Sequence, residues 1–122
     1  MCRNCFDKDI YSFSTFEEFE GFQKVLSNKI AKDIVANDAL PTDMQEQELS
    51  LYKPTAAYKC SSCSERWYLS EPDNAWRGYF LSHHSVKPYL SRLRSSDKKK
   101  KIVGVILLVG VVLFILLLIV SR

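Results

Sequence analysis

Nineteen consecutive residues, "IVGVILLVGVVLFILLLIV" from Ile102 to Val120, carry no charge and no strongly polar side chain. As an α-helix rising 1.5 Å per residue the run is about 28 Å long, close to the roughly 30 Å hydrocarbon core of a bilayer. A helix in a soluble core keeps polar positions on the turns that face away from it, and this run has none. It reads as a transmembrane helix. Its place behind a hundred residues of other sequence distinguishes it from a secretory signal peptide.

The charges beside the run predict an orientation. "DKKKK", Asp97 to Lys101, adjoins it on the N-terminal side, whereas Ser121 and Arg122 follow it. Four lysines against one arginine predict a cytoplasmic N-terminal domain and a short C-terminus on the opposite side, with a bacterial inner membrane the favoured setting. Residues 91–101 hold Arg92, Arg94, Lys98, Lys99, Lys100 and Lys101 against Asp97, net +5, while residues 1–90 hold ten basic and thirteen acidic side chains, net −3. The basic segment suits the membrane surface: anionic headgroups attract each cation by about 1 kcal/mol, and lysine stems can snorkel toward them. The mildly acidic remainder argues against a nucleic-acid footprint.

A cytoplasmic domain lies in a reducing compartment, where structural disulfides are rare. The chain nevertheless has four cysteines, in two Cys-x-x-Cys pairs: Cys2 and Cys5 in "CRNC", Cys60 and Cys63 in "CSSC". One such pair can present two thiolates to a single ion from a tight turn, and two pairs complete a tetrahedral S₄ site. Zinc is the first expectation for that donor set, with iron or an iron–sulfur cluster as the alternative. With all four thiols as ligands the site is closed to substrate water, hence structural rather than catalytic. The 54 residues from Phe6 to Lys59 far exceed the usual spacing, which predicts a helix and loop inserted between the pairs. Neither pair is followed by glycine. A thioredoxin-like redox role lacks the strand–helix–strand context. His83 and His84 could replace a cysteine pair but read more simply as surface.

Between the pairs, Thr15 and Glu18 form a capping-box pattern. Phe16, Phe19, Phe22, Leu26 and Ile30 then recur at helical spacing, predicting a helix from about Phe16 to Asn28 or as far as Val35, packed on the domain's own sheet. Asn37 to Ser50 is polar, holds a proline and reads as a loop or linker, with a second helix within it as the alternative. From Leu51 short aromatic runs, with "EPDN" (Glu71 to Asn74) between the last two, predict a β-hairpin or meander of about three strands. The fold class is α+β: a metal-stapled domain over 1–82, a basic juxtamembrane tether over 83–101 and the span over 102–120.

"CRNC" with "CSSCSERWYL" resembles the zinc-ribbon family, in which two knuckles on β-turns sit beside short strands. The resemblance covers Cys2–Cys5 and about Leu51–Leu81, and implies Cys2, Cys5, Cys60 and Cys63 as ligands of a structural Zn²⁺. It implies a scaffold more than an activity.

Strand alternation places Trp67 and Leu69 opposite Tyr68, and Trp76, Gly78 and Phe80 opposite Arg77 and Tyr79. The tryptophans read as core. Tyr68, Arg77 and Tyr79 read as an exposed patch for a protein partner; stacking of single-stranded bases there is the weaker option. Glu71 and Asp73 flank a proline in a turn, where backbone hydrogen bonding accounts for them. With no nucleophile–base pair and no phosphate-cradling glycine loop, the expectation is a non-enzymatic, membrane-tethered interaction module, such as a bacterial immunity or accessory protein. The alternatives are a metal or redox sensor and, more weakly, a nucleic-acid-binding ribbon.

Overall fold

The computed structural model describes residues 2, 4–45, 52–73 and 76–120, and the backbone alone of Gln45. The end of the expected linker, the last residue of "EPDN" and Arg122 fall outside them. The chain divides into two compact units, residues 1–90 and 91–122. As expected, the fold is α+β, with a four-stranded antiparallel sheet, helices and a long apolar C-terminal helix.

Helix α1 is Phe16–Ala31. The Thr15 hydroxyl accepts the Glu18 N–H at 3.1 Å, as the capping box requires. The reciprocal bond is displaced by one residue: the Glu18 carboxylate accepts the N–H of Ser14 at 2.7 Å. At the other end Asp33 takes a left-handed conformation (φ 55°), donating to the Ile30 carbonyl, while Ile34 donates to that of Lys29. These two bonds form a Schellman motif, which turns the chain directly into β1, Val35–Asp38. That strand takes Val35, the far limit expected for the helix, and the first two residues of the stretch read as a loop, Asn37 and Asp38. Four residues with only Val35 buried carry too little alternation to be recognised.

A short helix α2, Thr42–Gln45, precedes β2 (Ala56–Cys60), β3 (Arg66–Ser70) and β4 (Tyr79–Ser82), and the strands pair in chain order. The two faces of the sheet support separate cores. On one face Tyr58, Trp67, Leu69 and Phe80 pack against Phe19 and Leu26 of α1 and against Cys5 and Phe13 of the N-terminal segment. Phe16 is 60% exposed, so it lies outside the stripe its spacing suggested.

On the other face Ala57, Tyr68, Tyr79 and Leu81 are covered by Met44 of α2 and by Val86 and Leu90. Val86 and Leu90 belong to α3, His83–Val120, which starts directly after β4. This corrects the expected boundary at residue 82: the first eight residues of the supposed tether are helical and packed into the domain. Pro88 and the flanking polar residues disguised them, because proline inside a helix removes a backbone donor.

In the second unit α3 is long and apolar enough to cross a membrane, and its most apolar window is wholly exposed. Arg92, Arg94 and Lys98 to Lys101 are all exposed on it.

Candidate metal centre

The second cysteine pair lies where β2 gives way to β3. Cys60 closes β2 and is buried beneath α1, while Cys63 is exposed in the turn. Cys60 donates its N–H to Glu65 and accepts that of Ser64, which is held at φ 60°. The left-handed residue therefore comes immediately after the pair, where glycine would be favoured and serine stands.

Among the described residues no strand carries the first pair, which depends on its neighbours. Lys29, in the last turn of α1, donates from Nζ to the Asn4 carbonyl at 3.0 Å and lies over the Phe6 ring. Phe6, directly after Cys5, inserts among Phe22, Trp67 and Phe80 at centroid distances of 6.0, 5.2 and 4.6 Å. Farther along, Ile10 exchanges both backbone hydrogen bonds with Phe80, at 2.7 Å each. Phe6 thus anchors the first knuckle to the sheet. Its only sequence signal is an aromatic side chain next to a Cys-x-x-Cys pair.

These anchors bring both pairs together. The sulfurs of Cys2, Cys5, Cys60 and Cys63 lie within 4.8 Å of one another, and Cys5 Sγ and Cys63 Sγ are 3.8 Å apart across the two knuckles. A tetrahedron built on metal–thiolate bonds of about 2.3 Å has edges of about 3.8 Å. The donor set and its spacing therefore fit a metal ion. Neither histidine belongs to the cluster, and His83 Nδ1 is instead 3.0 Å from the Tyr68 hydroxyl.

The four thiols differ in their electrostatics. Backbone N–H groups of Asn4 and Cys5 hold the Cys2 thiol down to about 7. Burial pushes Cys60 up, but the N–H groups of Cys63 and Ser62 outweigh it and leave the thiol below its ordinary value. Burial pushes Cys5 up to about 12. At Cys63 the Glu65 N–H favours the thiolate, yet burial and the sulfurs of Cys60 and Cys2 prevail and raise it. One thiol in each pair favours ionisation and the other resists it. Four adjacent thiolates need a cation among them to offset their mutual repulsion.

The aromatic patch needs correcting. Tyr68 and Tyr79 are both 0% exposed, in the core beneath α3, and the Tyr79 hydroxyl donates to the Tyr52 carbonyl at 2.8 Å. Alternation assigned them correctly to one face, but that face is covered by the segment read as a tether. Arg77 is exposed, and its guanidinium donates to the Ser14 carbonyl at 2.8 Å. Trp67 is core as expected. Trp76 is half-buried and packs with Tyr52 and Tyr79, opposite Phe80, because the positive φ of Gly78 (68°) interrupts the alternation.

No protein-family model, no curated protein and no solved structure matches this chain.

Proposed function

We propose that this chain is a non-enzymatic, membrane-anchored binding module: a cytoplasmic α+β domain, stapled by a structural zinc ion, held at a bilayer to meet a protein partner. The observation that carries this reading is the convergence of Cys2, Cys5, Cys60 and Cys63, two cysteine pairs far apart in the chain. Zinc is the natural occupant of four thiolates in a closed site, and the zinc-ribbon resemblance of the two knuckles agrees. The lysines on the N-terminal side of the span favour a cytoplasmic domain in a bacterial inner membrane. Tethering raises the domain's effective concentration toward a partner in the same membrane. With Tyr68 and Tyr79 buried, the contact surface is better sought around Arg77 and the exposed rings of Tyr11 and Phe16. An immunity or accessory protein is one concrete form of such a module.

Metal analysis of the full-length chain in detergent tests this reading. One tightly held zinc per chain, retained under mild peroxide, supports it; a metal-free chain with cysteine disulfides overturns it. Cross-linking in native membranes then identifies the partner.

A second reading, a membrane-bound metal or redox sensor, draws on the exposure of Cys63 and the partial exposure of Cys2. Ready zinc release by peroxide supports it over the first. A nucleic-acid-binding ribbon is disfavoured by the net −3 of residues 1–90.

A further inference from the structure

The six cations next to the span have a distribution that a helix turns into geometry. Residues 91–101 are helical throughout, and Arg92, Arg94, Lys98, Lys99, Lys100 and Lys101 are all exposed. With Arg92 as origin and about 100° per residue, the others fall near 200°, 240°, 340°, 80° and 180°. No gap between neighbouring cations exceeds about 100°. Lys98 to Lys101 alone occupy one full turn, ending where Ile102 begins the apolar run. Asp97, near 140°, falls in one of the two widest gaps.

A helix lying in the membrane interface needs the opposite pattern, a charged face against an apolar face. Here the charges go all the way round, and so do the apolar residues that follow: Ile102 to Val120 are exposed on every side. A charged ring above an apolar cylinder suits a helix that passes through the headgroup layer, with phosphates available in every direction.

The geometry points to a closed cationic collar that gathers anionic phospholipids around the whole circumference of the helix, beyond attracting it to a charged surface. The collar takes the phosphate of a lipid headgroup, and the lysine turn at the edge of the hydrocarbon supplies most of its contacts. Arg94 lies one turn above Lys98 on nearly the same azimuth, so the two can share one phosphate. Arg92 and Lys99 also share an azimuth, about 130° farther round the helix and two turns apart. The inference rests on the membrane-anchored reading proposed above.

The test uses the full-length chain reconstituted in phosphatidylcholine vesicles containing spin-labelled phosphatidylglycerol, with the motionally restricted lipid fraction as readout. The natural chain should restrict phosphatidylglycerol several-fold more than labelled phosphatidylcholine. The decisive variant combines Lys100→Ser with Ser95→Lys. Composition and net charge are unchanged and both positions are exposed, but the cations now occupy one half of the helix and leave a gap of about 180°. It should lose about half of the preference, since half of the circumference no longer attracts anionic headgroups. Lys98→Ser with Ser95→Lys also moves a lysine away from the apolar run but keeps every gap within about 100°, and should keep most of the preference. Equal losses in the two variants would overturn the collar. An unchanged preference would show that net charge alone acts and would overturn the collar; so would equal restriction of both lipids by the natural chain. Alkaline carbonate extraction is run in parallel. A chain that carbonate removes from the vesicles overturns the spanning reading itself, whereas a chain that stays embedded without lipid preference overturns only the collar.

Discussion

Asp9 accepts the backbone N–H of Ser82 at 2.7 Å across 73 positions of sequence, and its other carboxylate oxygen takes the Ser85 hydroxyl. Ser82 immediately precedes α3, so a carboxylate from the N-terminal segment sits on the positive end of that helix. Asp9→Ala should lower the stability of the domain by about 1–2 kcal/mol, and Asp9→Asn should cost less because it keeps an acceptor without the charge. Urea unfolding of the full chain in micelles checks this; equal losses for both variants would mean that charge matters and the hydrogen bonds do not.

Among the described residues, two that are not glycine hold left-handed backbone conformations: Asp33 after α1 and Ser64 after the second cysteine pair. Each removes a steric penalty when replaced by glycine. Asp33→Gly should raise stability by roughly 0.5–1 kcal/mol. Ser64→Gly should slow metal loss to a chelator, because the turn that presents Cys60 and Cys63 would relax into its preferred shape. Faster loss from Ser64→Gly would count against that account of the turn.

Gly78 and Gly21 should respond to alanine in opposite directions. A Cβ at Gly78 would meet the Ser70 carbonyl oxygen and lie 2.8 Å from the Pro72 nitrogen, at a positive φ. Gly78→Ala should cost about 3 kcal/mol. Nothing lies within 4 Å of a Cβ at Gly21, inside α1, so Gly21→Ala should gain about 1 kcal/mol. Thermal unfolding of both variants, side by side, measures the difference.

Burial raises the hydroxyl pKa of Tyr68 and of Tyr89 in the folded chain. The unfolded phenols ionise near their ordinary value of about 10. A folded-state value above the unfolded one gives stability that is complete below about pH 10 and lost as pH rises through the folded value. The domain should therefore unfold cooperatively in alkali, with the phenolate absorbance of the shielded tyrosines appearing together with loss of the sheet. Phenolate absorbance that accounts for all six tyrosines of the chain while the sheet persists would contradict the shielding of Tyr68 and Tyr89.

The features legible in the sequence were those encoded over short distances. The Thr15–Glu18 box starts α1 at Phe16, and the helical stripe of Phe19, Phe22 and Leu26 does face the sheet. The paired cysteines announced a cluster, and the four sulfurs do converge. Strand alternation put Tyr68 and Tyr79 on a common face. What covers that face was illegible, because Val86 and Leu90 are two apolar residues in a polar segment interrupted by Pro88. β1 was hidden for a similar reason, since most of its stability comes from pairing with β2 rather than from its own four residues.

The chain itself settled its long apolar run, its charge asymmetry and its thiol inventory, since each depends on the chemistry of neighbouring residues alone. Only the tertiary structure decided which tyrosines are accessible, where the domain ends and how the first knuckle is held in place. Those outcomes come from contacts between distant segments, Phe6 on Phe80 and Val86 over the sheet, whose gain depends on surfaces created only when the chain closes on itself.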